Sequence, residues 1–316
     1  MNTPSDAVQE RSEPDPGAVT GERSRLTNLA YRLLGSLAEA EDAVQETYAR
    51  WYAMPREQQE AVASPGAWLT TVAGRVCLDL LGSARVRRER YVGEWIPEPL
   101  PDRAQWIGGT AGGGSREPAD PADRITLDES VGMAFLVVLE SMTPAERVAF
   151  VLHDVFRYPF AEVAAIVGRT PAACRQLAAS ARRRVRAVQG PAATPPTGQA
   201  LLVVRQFKEA WEAKDIGALV ALLDPGARMV ADGGGLVGAV LRPVEGSERI
   251  ARYLVHIAGR SPGLTLLERT VNGRPGLVAQ RAGATVTVAA LDLADGRITH
   301  IWAVRNPEKL RPWDLG

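Results

Sequence analysis

The sequence predicts a multi-domain fold, with two all-α units in succession, the second carrying a helix-turn-helix, and then an α+β unit. Three observations carry this. Apolar residues recur at helical spacing through residues 23–91 and 125–188. Two stretches dense in proline and glycine, residues 92–123 and 190–198, interrupt that period. Beyond the second break, helices give way to alternating runs punctuated by Asn272-Gly273 and Asp295-Gly296, which are hairpin turn signals. Helices followed by an antiparallel meander give α+β rather than the alternation of a parallel sheet. The boundaries read as a disordered lead (1–20), a first helical domain (21–92), a linker (93–124), a second helical domain (125–189), a hinge (190–198) and an α+β domain with its tail (199–316).

Taken in order, Leu26, Leu29, Ala30, Leu33, Leu34 and Leu37 form a helical stripe. Ser36 and Glu39 fit a capping box that opens a second helix. In it Ala43, Val44, Thr47, Tyr48 and Trp51 share one face, while Glu39, Glu41, Asp42, Glu46 and Arg50 lie outside. Ser64-Pro65 starts a third helix, which ends in Arg85, Arg87, Arg88 and Arg90, more arginine than a helix dipole calls for. The linker is odd for a spacer, because Trp95, Ile96 and Leu100 are large and apolar. A docked segment and a loop packed on its own neighbour both fit. Thr143-Pro144-Ala145-Glu146 is another capping box. After the hinge, Leu201, Val204, Phe207, Ala210 and Trp211 share a helix face, and strands are expected at 264–271, 276–281, 285–293 and 297–304.

The whole chain narrows the function. It has 316 residues and a formal net charge of zero, which argues against a protein that coats nucleic acid non-specifically and leaves room for local basic patches. Its two cysteines, Cys77 and Cys174, make neither a disulfide framework nor a metal cluster, so a reducing interior is expected. The N-terminus lacks the apolar core of a signal peptide, and the longest apolar run, residues 133–139, is too short to span a bilayer. The expectation is a cytoplasmic protein, not bound to membrane, without cofactor or metal.

Residues 160–187 carry the sharpest local signal. A short apolar helix ends at Gly168, Thr170 offers an N-cap, Pro171 suits the first helical position, and the helix that follows is basic without an acid. That is helix-turn-helix geometry, in which the second helix enters the major groove. Its N-terminal residues Thr170, Ala172, Arg175 and Gln176 are the candidates for base edges, since Arg pairs with guanine and Gln with adenine. Arg182 and Arg183, further along, suit phosphates, which position without specifying. Arg75, Arg85, Arg87 and Arg88 on the earlier helix are candidates for single-strand or backbone contacts.

These segments together resemble domains 2 and 4 of extracytoplasmic-function (ECF) sigma factors. AEDAVQETYARWY (residues 40–52) resembles the helix that docks on the β′ clamp helices of RNA polymerase. PGAWLTTVAGRVCLDLLGSARVRRERY (65–91) resembles the element that opens and reads the −10 region. Residues 139–186 resemble domain 4, which reads the −35 element. Periodicity leaves the acidic face open between a docking surface and a solvated one. The resemblance makes Glu41, Asp42, Gln45, Glu46 and Trp51 polymerase contacts, with the β flap as a further partner surface. The last third is similar to a SnoaL-like cone and so to the sigma-J type, whose motifs stand here as YVGEWIPEP (91–99), DGGG (232–235) and NPEKL (306–310). Leu236 stands where that type often has lysine, and Arg75 where many ECF factors have asparagine.

The resemblance implies promoter-specific initiation with regulation in cis. Trp95, Pro97, Glu98 and Pro99 of the linker, Asp232, Gly233, Gly234 and Gly235, and Asn306, Pro307, Lys309 and Leu310 are the expected regulatory contacts, with no separate anti-sigma factor required. The alternative is a helix-turn-helix regulator fused to a SnoaL-like isomerase, cyclase or hydrolase. Asp232, His256 and His300 would be its acid–base set, with His300 sharing a strand face with Ile298 and Trp302 and turned into the cavity.

Overall fold

The computed structural model describes residues 21–89, 91–101, 132–189 and 197–313, without the side chains of 84–89, 188, 189 and 197. The lead, the linker beyond residue 101 and the hinge at 190–196 lie outside these residues.

Helices α1 (Arg23–Leu34), α2 (Leu37–Ala53), α3 (Arg56–Glu60) and α4 (Pro65–Glu89) make the first bundle. The expected stripe from Leu26 to Leu37 is buried throughout. Gly35, at φ 71, ends α1 in the left-handed region and donates its N–H to the Tyr31 carbonyl at 2.7 Å. Ser36 then caps α2 through the Glu39 amide at 3.4 Å. The short α3, which begins directly after Pro55, was not expected from the sequence.

The second bundle holds α5 (Met133–Glu140), α6 (Pro144–Phe150), α7 (Phe160–Val167) and α8 (Pro171–Gln189). The Thr143 box is reciprocal, with the Glu146 amide on Thr143 Oγ1 at 3.3 Å and the Thr143 amide on Glu146 Oε2 at 3.0 Å. A π turn at Val151–Val155 widens the end of α6. The two bundles are not separate bodies, because one apolar core runs from Leu26 in α1 to Val185 in α8. Polar contacts seal it. Arg147 donates to the Leu33 carbonyl at 2.9 Å and to Glu140 Oε1 at 2.6 Å, and its burial brings the guanidinium pKa down to about 9. The Tyr158 hydroxyl accepts from Arg25 at 2.6 Å and lies 2.9 Å from Thr70 Oγ1.

The C-terminal unit opens with α9 (Thr197–Glu212) and α10 (Ile216–Leu222). Along α9 the expected face is buried at Val204, Phe207, Ala210 and Trp211, joined by Ala200 and Val203, while Leu201 alone of the expected set is exposed. Six strands follow, with α11 (Ser247–Arg260) after the second and the short α12 (Pro307–Leu310) after the last. They are β1 (Leu223–Asp232), β2 (Val244–Glu245), β3 (Leu264–Val271), β4 (Arg274–Arg281), β5 (Ala284–Ala294) and β6 (Arg297–Val304), in the order β2-β1-β6-β5-β4-β3. The expected antiparallel meander is β3–β6. The sheet as a whole is mixed, because β1 lies parallel to β6.

The sheet is buried on both faces. Leu277, Ala279, Leu291 and Ile301 pack against Phe207, Trp211, Ile250 and Leu254 of the covering helices. The neighbouring residues of the same strands, Val278, Ala290 and Trp302, point the other way and meet Ile96 of the linker, Met133 of α5 and Leu310 of α12. Strand alternation thus makes this sheet a wall between the cone interior and the rest of the molecule.

Candidate functional site

The helix-turn-helix presents one basic face. Gly168, at φ 69, ends α7, and Thr170 Oγ1 accepts the Ala173 amide at 3.2 Å to start α8. Cys174, Ala178, Ala181 and Val185 are buried, which turns Thr170, Ala172, Arg175, Gln176 and Arg183 outward, all exposed. The Arg175 guanidinium lies over the Phe160 ring at 5.7 Å, which holds it at the exposed end of the turn. Arg182 is placed differently, half-buried with its Nε 2.9 Å from Asp154 Oδ1, a charge contact without hydrogen-bond geometry. That pairing ties α8 to the π turn and sets Arg182 apart from the free arginine expected for a phosphate.

On α2, Glu41, Asp42, Gln45 and Glu46 are exposed along one face. Trp51 is not part of it. It is 4 % exposed and packs edge-on against Trp68 at 5.1 Å, so it supports the acidic face from the core. Its apolar stripe position already pointed inward.

Arg75, expected to reach DNA, donates instead to the Ala165 carbonyl of α7 at 2.9 Å. The middle of α4 is therefore tied to the second bundle, although Arg75 itself stays exposed. Arg85, Arg87 and Arg88 lie on the last turns of α4, and their side chains fall outside the described residues.

The third site is a junction where the linker meets the first bundle and the C-terminal unit. Asp232, fully buried, closes β1. Its Oδ1 accepts from the Tyr91 hydroxyl at 2.6 Å and the Gly234 amide at 3.0 Å. Its Oδ2 accepts from the Ile96 amide at 3.0 Å and the Lys309 ammonium at 2.7 Å. Lys309 also donates to the Ile96 carbonyl at 2.5 Å and sits 4.1 Å from the Trp95 ring centroid. Asn306 donates to the Tyr91 hydroxyl at 3.0 Å and caps α12 by accepting the Glu308 amide at 3.0 Å. Gly234 must be glycine, since a Cβ there would stand 2.4 Å from Asn306 Nδ2 with φ at +64. Gly233 and Gly235 complete the turn, and Pro307 and Leu310 belong to α12, with Leu310 in the apolar cluster under Ile96.

Two residues beyond Ile96, the linker turns to the first bundle. The Glu98 amide donates to the Gly35 carbonyl at 2.8 Å, and Glu98 Oε2 accepts the Leu37 amide at 2.8 Å and the Ser36 hydroxyl at 3.3 Å. A linker carboxylate thus sits at the N-terminus of α2, the acidic helix. Burial pushes the Glu98 carboxyl up, and the Leu37 and Ser36 donors and Lys309 counter that. Trp95 rests on Gly35, where a Cβ would come within 2.8 Å of its ring. Pro97 also touches that position, and the Pro99 carbonyl accepts from the Trp313 indole at 2.8 Å.

Tyr31, Asn272 and Tyr91 complete the junction and were missed as site residues. The Tyr31 hydroxyl donates to the Glu98 carbonyl at 2.6 Å and accepts from Asn272 Nδ2 at 2.9 Å, and Asn272 also brackets Leu100 through its amide and its side chain. Asn272 reads as a turn residue and is one, at φ 51, but it is also buried. Tyr91 opens the linker motif, which was its available signal.

The acid–base set does not assemble. Asp232 is occupied by the junction, and His256 is exposed on α11. A bulge at Thr299, where β5–β6 pairing shifts between Asp292 and Leu293, puts Ile298 in the cone core and turns His300 away from it, stacked on Trp302 with ring centroids 5.2 Å apart. His300 thus does not share the face of Ile298, and burial lowers its pKa. Among the described residues, no helix is long and apolar enough to cross a membrane.

Residues 19–87 match the Sigma-70 region 2 family, and residues 132–185 match Sigma-70, region 4. The chain is 37% identical over 298 residues to the "ECF RNA polymerase sigma factor SigJ" of Mycobacterium tuberculosis, spanning 91% of this chain and 90% of that one. It is 36% identical over 300 residues to a "Probable ECF RNA polymerase sigma factor SigI" of the same species, spanning 95% and 96%. Its structure is similar to the crystal structure of Mycobacterium tuberculosis SigJ, with a TM-score of 0.70 at 33% identity over 93% of this chain and 97% of that one. The fused-enzyme alternative gives way to this likeness, which runs through all three units in order. The chain belongs to the ECF RNA polymerase sigma factors, non-enzymatic proteins that bind RNA polymerase and promoter DNA and direct transcription initiation.

Proposed function

We propose that the three sites divide the work of initiation. Residues 21–92 dock on core RNA polymerase at the β′ clamp helices through Glu41, Asp42, Gln45 and Glu46, and they engage the −10 element through α4. Residues 125–189 sit at the β flap and read the −35 element through Thr170, Ala172, Arg175 and Gln176, with Arg183 on phosphate. Residues 199–316 regulate in cis by gripping the 93–124 linker at Asp232 and Lys309. The chain acts in the cytoplasm and needs no separate anti-sigma factor.

The observation that carries this reading is the shared core of the two bundles. The −35 and −10 elements lie about 25 base pairs apart, or ~85 Å along a duplex at about 3.4 Å per pair. Bundles packed into one core do not reach both. The described state is therefore a closed one, and promoter binding needs the bundles to part. The linker gripped at Asp232 and Glu98 is where such parting is restrained.

The test is transcription from a promoter library by core polymerase plus this chain. Discrete start sites are expected, with yield altered by Asp232→Asn. Tight duplex binding without core, and no transcript with it, would sink the reading.

A further inference from the structure

The C-terminal unit contains a cavity that none of these roles uses. It lies between the covering helices and the sheet, where about 810 Å³ is free of atoms when the open solvent at its mouth is counted. Phe207, Trp211, Met229, Leu277, Ala289 and Ile301 make its apolar wall. Its polar lining is one-sided in charge, since it includes Arg281 and Arg305 and no aspartate or glutamate. Arg281 is exposed at the end of β4, and no ion pair holds it among the described residues. The Arg305 guanidinium is anchored on the Gly238 carbonyl. Tyr253 adds a half-buried hydroxyl, and the positive charge of Arg305 acts on it against the upward push of burial. An apolar chamber with cations and no anions in its lining favours an apolar body ending in an acidic group, whose charge the low-dielectric walls would leave poorly screened.

The wall of this cavity is also the wall of the junction. Ile301 and Ala303 of β6 line the cavity, while Trp302 and Val304, which alternate with them, pack on the linker side with Ile96. Directly after β6 the Arg305 and Asn306 amides donate to the Asp232 carbonyl at 2.7 and 3.0 Å. Arg305 therefore faces the cavity with its side chain and Asp232 with its backbone.

We propose that the cone cavity binds a small molecule with an apolar body and one anionic group, and that its occupancy is felt at the Asp232 junction through β6. The second half rests on the cis regulation proposed above, and the first half does not.

The test uses the full chain and two fluorescent probes of one skeleton, 1-anilinonaphthalene-8-sulfonate and its uncharged parent N-phenyl-1-naphthylamine. The sulfonate is expected to saturate one site and to bind about tenfold more tightly than the parent, a difference of about 1.4 kcal/mol. Ala289→Trp, with unchanged circular dichroism, should abolish both. Arg281→Gln, at an exposed position, should erase the preference for the anion while the parent still binds. Equal affinity for the two probes, or binding undiminished by Ala289→Trp, overturns the site. With the site saturated, hydrogen exchange at the Ile96 amide should change severalfold, and unchanged exchange overturns the coupling. If Asp232→Asn leaves transcription at the wild-type level while the probe still binds, the cis reading fails and the site stands.

Discussion

Removing the Lys309 ammonium would leave the Asp232 carboxylate buried without its ion-pair partner. Lys309→Met is therefore expected to weaken the junction by about 3–5 kcal/mol, the usual result of breaking a buried pair from one side. Adding Asp232→Asn should recover part of that loss, and urea midpoints of the two singles and the double measure it. At Glu98 the sign is set by burial, which raises the folded carboxyl, so the folded chain holds this proton more tightly than the unfolded one. Its contribution is most favourable in acid and declines as pH rises from the ordinary glutamate value through the raised folded one. Glu98→Gln should flatten that decline, while Glu98→Ala should lose the Leu37 cap at about 1 kcal/mol. Stability curves from roughly pH 4 to 7 separate the two. On α8, Arg175→Ala should relax one promoter position by about 1–3 kcal/mol, whereas Arg183→Ala should lower the salt slope of binding by about one at every sequence. Binding titrations on promoter variants at several salt concentrations read both.

Among the elements, the turn between α1 and α2 has the least room for change. Gly35→Ala would combine a left-handed backbone with a Cβ in the Trp95 ring, so it is expected to expel the linker from the first bundle. Faster proteolysis between residues 93 and 101 at unchanged helix content would report that. This turn also shows what was legible in the sequence. The stripe from Leu26 to Leu37, the Ser36 cap, the Thr143 box and the α7–α8 turn follow from local pattern and were all readable. The β1 strand was not, because Pro225 and Gly226 break its alternation and its pairing with β6 shifts between Leu223 and Arg228. The bulge at Thr299 was equally silent and reversed the side of the sheet on which His300 lies. Trp51 failed for the opposite reason. Its inward stripe position was plain, but the likeness of the surrounding segment drew it into the docking face. The junction motifs were legible as motifs. The Tyr31 and Asn272 contacts that bind them to the first bundle were not, since a contact across 241 residues leaves no local signal.

At the scale of the whole molecule, the proposed function makes closure of the two bundles what a promoter must undo. Cysteines at Gly74 and Ile166 lie close enough to bridge, since a Cβ at position 74 would stand 2.8 Å from Ile166 Cγ2. The oxidised Gly74→Cys/Ile166→Cys chain is expected to lose specific transcription with core polymerase and to regain it on reduction. Full output from the oxidised form would show that the bundles need not part. The Tyr31–Asn272 bond carries a consequence for the life of each new molecule. Its two partners are 241 residues apart, so at about 5–20 residues per second the ribosome delivers the second roughly 12–48 s after the first. During that interval both helical bundles emerge before the C-terminal residues that bond to the first of them. A freshly made chain therefore starts life without this bond, and on the proposed function whether it meets polymerase or its own C-terminus first is decided by timing.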